Sequence, residues 1–141
     1  MKTFKSLAAA FMILFSVSAF AADESANSKS KMESAVGTYI DAMNNGKLKE
    51  LASLLDPGAK YTISRGDAVL NYSKGEFLET LKPHENVVQN CKTDYKLIEF
   101  SPAQSIVKVT MKYDSFSKVN FVTFSNTAKG WKITNISTSF N

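Results

Sequence analysis

The stretch Tyr39-Ile40-Asp41-Ala42-Met43-Asn44-Asn45-Gly46-Lys47-Leu48-Lys49-Glu50-Leu51-Ala52-Ser53-Leu54-Leu55-Asp56-Pro57-Gly58-Ala59 decides how the chain folds. Tyr39, Ile40 and Met43 continue a series begun by Met32 and Val36. Their spacing of three and four places all five on one stripe of a helix predicted over Lys31 to Asn44. Asn45-Gly46 ends that helix, because both residue types tolerate the left-handed backbone of a helix C-terminus. Leu48, Leu51, Leu54 and Leu55 form the apolar stripe of a second, shorter helix, which Asp56-Pro57-Gly58 stops. Two adjacent helices, each with one apolar face, need a common surface to cover.

The residues that follow supply it. Tyr61 and Ile63 alternate with Lys60 and Thr62 in a strand over Ala59 to Ser64, Arg65-Gly66-Asp67 turns, and Ala68 to Tyr72 returns. Ser73-Lys74-Gly75-Glu76 has the spacing of a capping box, opening a third short helix with Phe77, Leu78 and Leu81 that closes before Pro83. The remainder reads as strand: Val87 to Phe100, Ser105 to Tyr113, Lys118 to Ser125 and Trp131 to Phe140, separated by turn residues. Val107, Val109, Met111 and Tyr113 alternate with Lys108, Thr110 and Lys112, so one face of the meander is covered and the other is wetter. Early helices followed by strands give an α+β class, with three N-terminal helices on one face of a curved, mostly antiparallel sheet.

Upstream of the helices the chain reads as an address. Lys2 and Lys5 precede a nearly continuous apolar run from Leu7 to Val17, and Ala19-Phe20-Ala21 offers small residues where signal peptidase cleaves. Residues 1–21 are therefore expected to be a signal peptide, removed to leave a protein that starts at Ala22 in the periplasm or beyond. The run is shorter than the ~20 residues that span a bilayer, so no membrane association is expected after cleavage. Residues 22–30, polar and small, are expected to be a disordered tether, and 31–141 one domain.

Composition excludes several function classes. Two of the 17 basic residues leave with the signal, and the remaining 15, scattered singly, face 13 acidic ones. That balance gives no nucleic-acid footprint. Cys91 is the only cysteine, so no intramolecular disulfide forms, and with His84 as the only histidine an ordinary zinc site is excluded. Asp41 and Glu50 fall on helix faces away from the apolar stripes, and His84 reads as an exposed loop residue. No glycine-rich loop is placed to hold a phosphate, and no cofactor is expected.

Three segments together resemble the nuclear transport factor 2-like superfamily: the Tyr39 to Ala59 stretch, Tyr72-Ser73-Lys74-Gly75-Glu76-Phe77-Leu78, and the closing Gly130-Trp131-Lys132-Ile133-Thr134-Asn135-Ile136. They are most similar to its SnoaL-like and putative lumazine-binding branches. The resemblance covers residues 32–140 and implies a cone-shaped fold, not one function, because this fold hosts enzymes, binding modules and assembly domains. Against the superfamily's steroid isomerases, Tyr39 matches the oxyanion-hole tyrosine, the catalytic base position falls on Ile63, and the protonated-aspartate position falls on Asn120. Ile63 cannot take a proton, and Asn120 donates a hydrogen bond but does not titrate.

The aromatic residues Tyr39, Tyr61, Tyr95, Tyr113 and Trp131 are placed by helix stripe or strand alternation to point inward. The expected site is a ligand pocket formed by Tyr39, Tyr61, Ile63, Asn120 and Trp131, with no catalytic or metal-ligating residue. The function expected from these readings is an exported, non-catalytic module for a small apolar or aromatic ligand. Two alternatives stand beside it: a periplasmic interaction or homodimerisation domain, and an isomerase or dehydratase. A tyrosine-lined pocket open to solvent favours the first; a filled cone with an apolar outer sheet favours the second.

Overall fold

The computed structural model describes residues 22–141 in full; the signal peptide expected over residues 1–21, with its cleavage site, lies outside the described residues. Helix α1 (Lys2–Asn45), followed here from Ala22, leads into α2 (Leu48–Leu54), the hairpin β1 (Leu55–Arg65) and β2 (Ala68–Ser73), and α3 (Lys74–Leu81). A 3-10 turn (Lys82–His84) precedes the meander β3 (Lys92–Phe100), β4 (Gln104–Lys112), β5 (Ser117–Thr127) and β6 (Gly130–Phe140). The six strands form one sheet in the order β2-β1-β6-β5-β4-β3. All pairs are antiparallel except β1 with β6, which joins the early hairpin to the end of the meander in parallel.

Helix α1 lies on the inner face of this sheet. Met32, Val36, Tyr39 and Ala42 are buried against Val107, Val109, Val122, Phe124, Ile133 and Ile136. Each large side chain so covered contributes on the order of 1.5–3 kcal/mol. Strand β4 alternates as expected, with Ser105, Val107, Val109 and Met111 inward. The expected capping box opens α3: the Ser73 hydroxyl accepts from the Glu76 amide at 3.3 Å, and the Glu76 carboxylate accepts from the Ser73 amide at 2.8 Å.

Four expectations need correction. Residues 22–30 are helical, continuing α1, where a disordered tether was expected; Ala22, Glu24, Ala26 and Lys29 are good helix formers, and neither Pro nor Gly interrupts them. Strand β1 begins at Leu55 and holds Asp56-Pro57-Gly58 in an irregularity of its pairing with β6, rather than following that tripeptide. The Asp56 carboxylate accepts from the Gly58 amide at 2.9 Å and so supplies the local turn. Strand β3 starts at Lys92, not Val87, because residues 86–89 bond to the end of α1: Asn86 N donates to Gly46 O at 2.9 Å and Gln89 N to Asn44 O at 2.7 Å. Tyr95 shares the inner-face register of Val109 but is 47% exposed, since β3 is an edge strand with no further strand beside it.

Candidate functional site

The inner face can be followed row by row toward the end of the sheet nearest the C-terminus of α1. Strand register places Val107, Val122, Ile136 and Tyr61 side by side, then Val109, Asn120, Thr138 and Ile63, then Met111, Lys118 and Phe140. Beyond the second row α1 ends, and α2, α3 and the 3-10 turn stand around the gap. The result is a cavity of about 310 Å³. Its wall takes apolar side chains from Ala42, Met43, Leu48, Leu51, Ile63 and Met111, with Tyr61 and Thr80 beside them. Around its rim stand Arg65, His84, Gln89, Tyr113, Lys118 and Phe140.

Several lining groups are fixed before any ligand arrives. The Tyr61 ring stacks on Phe77 at 4.2 Å and tilts against Tyr72 at 5.8 Å. The Tyr113 hydroxyl donates to Gln89 Oε1 at 2.9 Å, and its ring stacks on Phe116 at 4.6 Å. Arg65 lies 5.6 Å from the Phe140 ring centroid, within cation–π range. Gly46 closes the corner where α1 meets the loop after α3. Its φ of +64° suits glycine, and a Cβ there would lie 2.3 Å from the His84 carbonyl oxygen.

Behind the wall sits a buried polar group of side chains. The Thr138 hydroxyl donates to Asn120 Oδ1 at 2.6 Å, while Asn120 Nδ2 and the Tyr39 hydroxyl have no partner in the protein. Burial pushes the Tyr39 hydroxyl far above its ordinary pKa, with Tyr61 beside it adding to the shift. Tyr61 is also raised by burial, and the Thr138 hydroxyl near it works in the opposite direction. Tyr113 is pushed up to about 12, first by burial and then by the neighbouring Cys91 thiol. Lys118 moves the other way, because burial disfavours its ammonium form. Arg65 and Lys118 both line the cavity, and among the residues that line it there is no carboxylate.

A model of one protein family, described as putative lumazine-binding, matches residues 27–137. The chain belongs to the putative lumazine-binding family. Its fold agrees: a nuclear transport factor 2-like protein of unknown function from Silicibacter pomeroyi superposes with a TM-score of 0.67 at 15% identity, over 82% of this chain and 96% of that one. Another of unknown function from Methylobacillus flagellatus gives 0.70 at 12% identity, over 82% and 93%. A putative dehydratase of the nuclear transport factor 2-like family from Streptomyces avermitilis gives 0.54 at 20% identity, over 78% and 93%. At such identities the likeness is one of fold. No curated protein matches the sequence.

Within this family fold the five expected site residues separate. Tyr61 and Ile63 line the cavity. Tyr39 and Asn120 lie on the same inner side but are buried behind the wall, so they do not line the cavity as expected. Trp131 is elsewhere. It is buried at the opposite end of β6 from Phe140, nine residues or roughly 30 Å along a strand, where it packs 6.2 Å from the Phe100 ring. It anchors the closed end of the cone and takes no part in the cavity. The rim residues Arg65, Lys118 and Phe140 were missed, although period-two alternation points to them: Lys118 shares a face with Asn120, Arg65 with Ile63, and Phe140 with Thr138. Nothing in the local pattern signals Gln89 or His84, which a loop folded back on α1 brings to the rim.

Proposed function

We propose that the chain is an exported, non-catalytic binding module that holds a small, largely apolar or aromatic molecule in the cavity at the end of α1. The observation that carries this reading is the cavity itself, about 310 Å³ with an apolar wall, two tyrosines and a few polar groups. That volume is at the small end of the ~300–1,000 Å³ typical of ligand sites. Tyr61 is held by two aromatic neighbours, so it offers a ring face at little ordering cost. The family's description names lumazine, a planar fused heterocycle, which is compatible with such a wall. Ile63, at the position the resemblance gives to a catalytic base, contributes only an apolar surface. The outer sheet face supports the cavity over a dimer interface, because the row Lys96, Lys108, Phe121, Ser137 and Thr62 surrounds one aromatic ring with hydroxyls and ammoniums.

Two measurements test the proposal. N-terminal sequencing of periplasmic protein should begin at Ala22; a retained Met1 in the membrane fraction refutes export. Native mass spectrometry of protein from its own host should find a small adduct, lost when Ile63→Trp fills the cavity in a chain that still folds. A bare wild-type mass, with no binding to a panel of aromatic acids, amides and heterocycles, overturns the reading.

A further inference from the structure

We propose that the ligand of this cavity carries a carboxylate on its apolar body, and that the Lys118 ammonium receives it at the rim. The inference rests on the cavity being a small-molecule site and adds the charge its occupant bears. Lys118 is on the inner face of β5, between Met111 on β4 and Phe140 on β6. It is only partly exposed and lines the cavity, with its apolar neighbours Met111 and Phe140 on either side. A lysine so placed needs an anion or costs stability.

The group the protein sets near it is the Cys91 thiol, and among the described residues no carboxylate pairs with it. Among the described residues, the ion pairs join Lys47 to Asp41 and Glu50, and Lys82 to Glu79, all away from the cavity lining. The Tyr113 hydroxyl gives its proton to Gln89, so the rim groups left to answer a carboxylate are cationic, and of these Lys118 is the one on the inner face of the sheet. Burial lowers the lysine's pKa, and the Cys91 thiol nearby works in the opposite direction. Arg65, drawn over the Phe140 ring, adds positive potential on the other side of the mouth. The same mouth carries a ladder of rings, with Phe116 stacked on Tyr113 and 6.1 Å from Phe140. Phe116 and Phe140 are 42% and 37% exposed. An apolar wall, exposed rim rings and one inward ammonium together match a monocarboxylic acid with an aromatic or aliphatic body.

The test uses two probes matched in size and differing in charge, anionic 2-naphthoate and neutral 2-naphthamide, titrated calorimetrically at pH 7 into the mature chain and into Lys118→Met and Lys118→Arg. The wild type should prefer the acid at least tenfold, which is about 1.4 kcal/mol. The preference should fall below about twofold in Lys118→Met and persist in Lys118→Arg, whose charge is kept. Melting curves confirm that each variant is folded. Equal affinity for acid and amide in the wild type overturns the carboxylate while leaving the cavity reading intact. A preference that survives Lys118→Met overturns the assignment to that residue. Failure of both probes to bind overturns the inference, and the cavity reading falls with it only when the panel of aromatic acids, amides and heterocycles also fails to bind.

Discussion

Replacing Gly46 by alanine perturbs the joint on which the cavity depends. At φ +64° an L-residue pays roughly 1–2 kcal/mol relative to glycine. The added Cβ would also stand 2.3 Å from His84 O, 2.7 Å from Asn86 N and 2.9 Å from Val87 N, all main-chain atoms. Main chain cannot rotate aside as a side chain can, so the loop after α3 must lift from the end of α1. That movement strains the bond from Asn86 N to Gly46 O, now 2.9 Å. Overpacking of this kind costs about 1–3 kcal/mol, which brings the total to about 2–5 kcal/mol. Thermal unfolding followed by far-ultraviolet circular dichroism should then drop by roughly 8–20 °C for a domain of this size. Gly66→Ala is the control, since Gly66 has φ +58° but open space around its missing Cβ. It should lose only the backbone part, roughly 1–2 kcal/mol. Equal losses in the two variants would show that the loop is not locked against α1, and that the rim residues His84 and Gln89 are not positioned by it.

Three further outcomes are expected. Trp131→Ala should cost about 3–5 kcal/mol, as other buried large-to-small changes do, while naphthoate affinity in the surviving folded fraction stays within twofold; a lost affinity with an unmoved melting midpoint would restore Trp131 to the binding site. Tyr39→Phe should raise stability by about 1 kcal/mol in urea titration, because it removes a buried hydroxyl that has no protein partner; a loss of stability would show that the hydroxyl is bonded after all. Lys118→Met should raise the melting midpoint of the ligand-free protein at pH 7. Since burial lowers the folded pKa of Lys118, the wild type sheds the charging cost as pH rises through that lowered value toward 10.5, so the gap between variant and wild type should narrow at alkaline pH. A gap independent of pH would mean that the ammonium is solvated.

Much of the fold is legible because its elements are written in local periodicity. The stripe of Met32, Val36 and Tyr39, the Ser73–Glu76 box and the alternation from Val107 to Met111 each depend on residues within one or two turns or strands. What the sequence leaves open is where the chain folds back across itself. Val87 and Val88 look like strand because they are β-branched, yet hydrogen bonds to the end of α1 hold the loop off the sheet and leave them 45% and 72% exposed. Tyr95 has the parity of a core residue, and only its place on an edge strand exposes it. The site was half legible for the same reason. Parity within a strand gives the side on which Tyr61, Ile63, Asn120 and Trp131 lie, but not how far along that side the helix cover extends.

That distance separates two kinds of interior. At the closed end, Trp131, Phe124 and Ile133 fill the space under α1 with apolar surface. Toward the open end the inner face carries Tyr39, Asn120 and Lys118 in turn; the Tyr39 hydroxyl and Asn120 Nδ2, like Trp131 Nε1 at the other end, have no partner in the protein, and Lys118 lines the cavity. Unsatisfied buried polar groups cost about 1–3 kcal/mol each, a large share of the ~5–15 kcal/mol that holds a domain together. The cationic rim, with Lys118 and Arg65 and no carboxylate, is complementary to an acceptor-rich guest such as a carboxylate. Binding such a guest stabilises the fold by RT ln(1 + [L]/Kd), so a ligand at a hundred times its Kd returns about 2.7 kcal/mol. The stability missing from the empty protein is then present in the complex, and the ligand-induced rise in melting midpoint should be larger for 2-naphthoate than for 2-naphthamide.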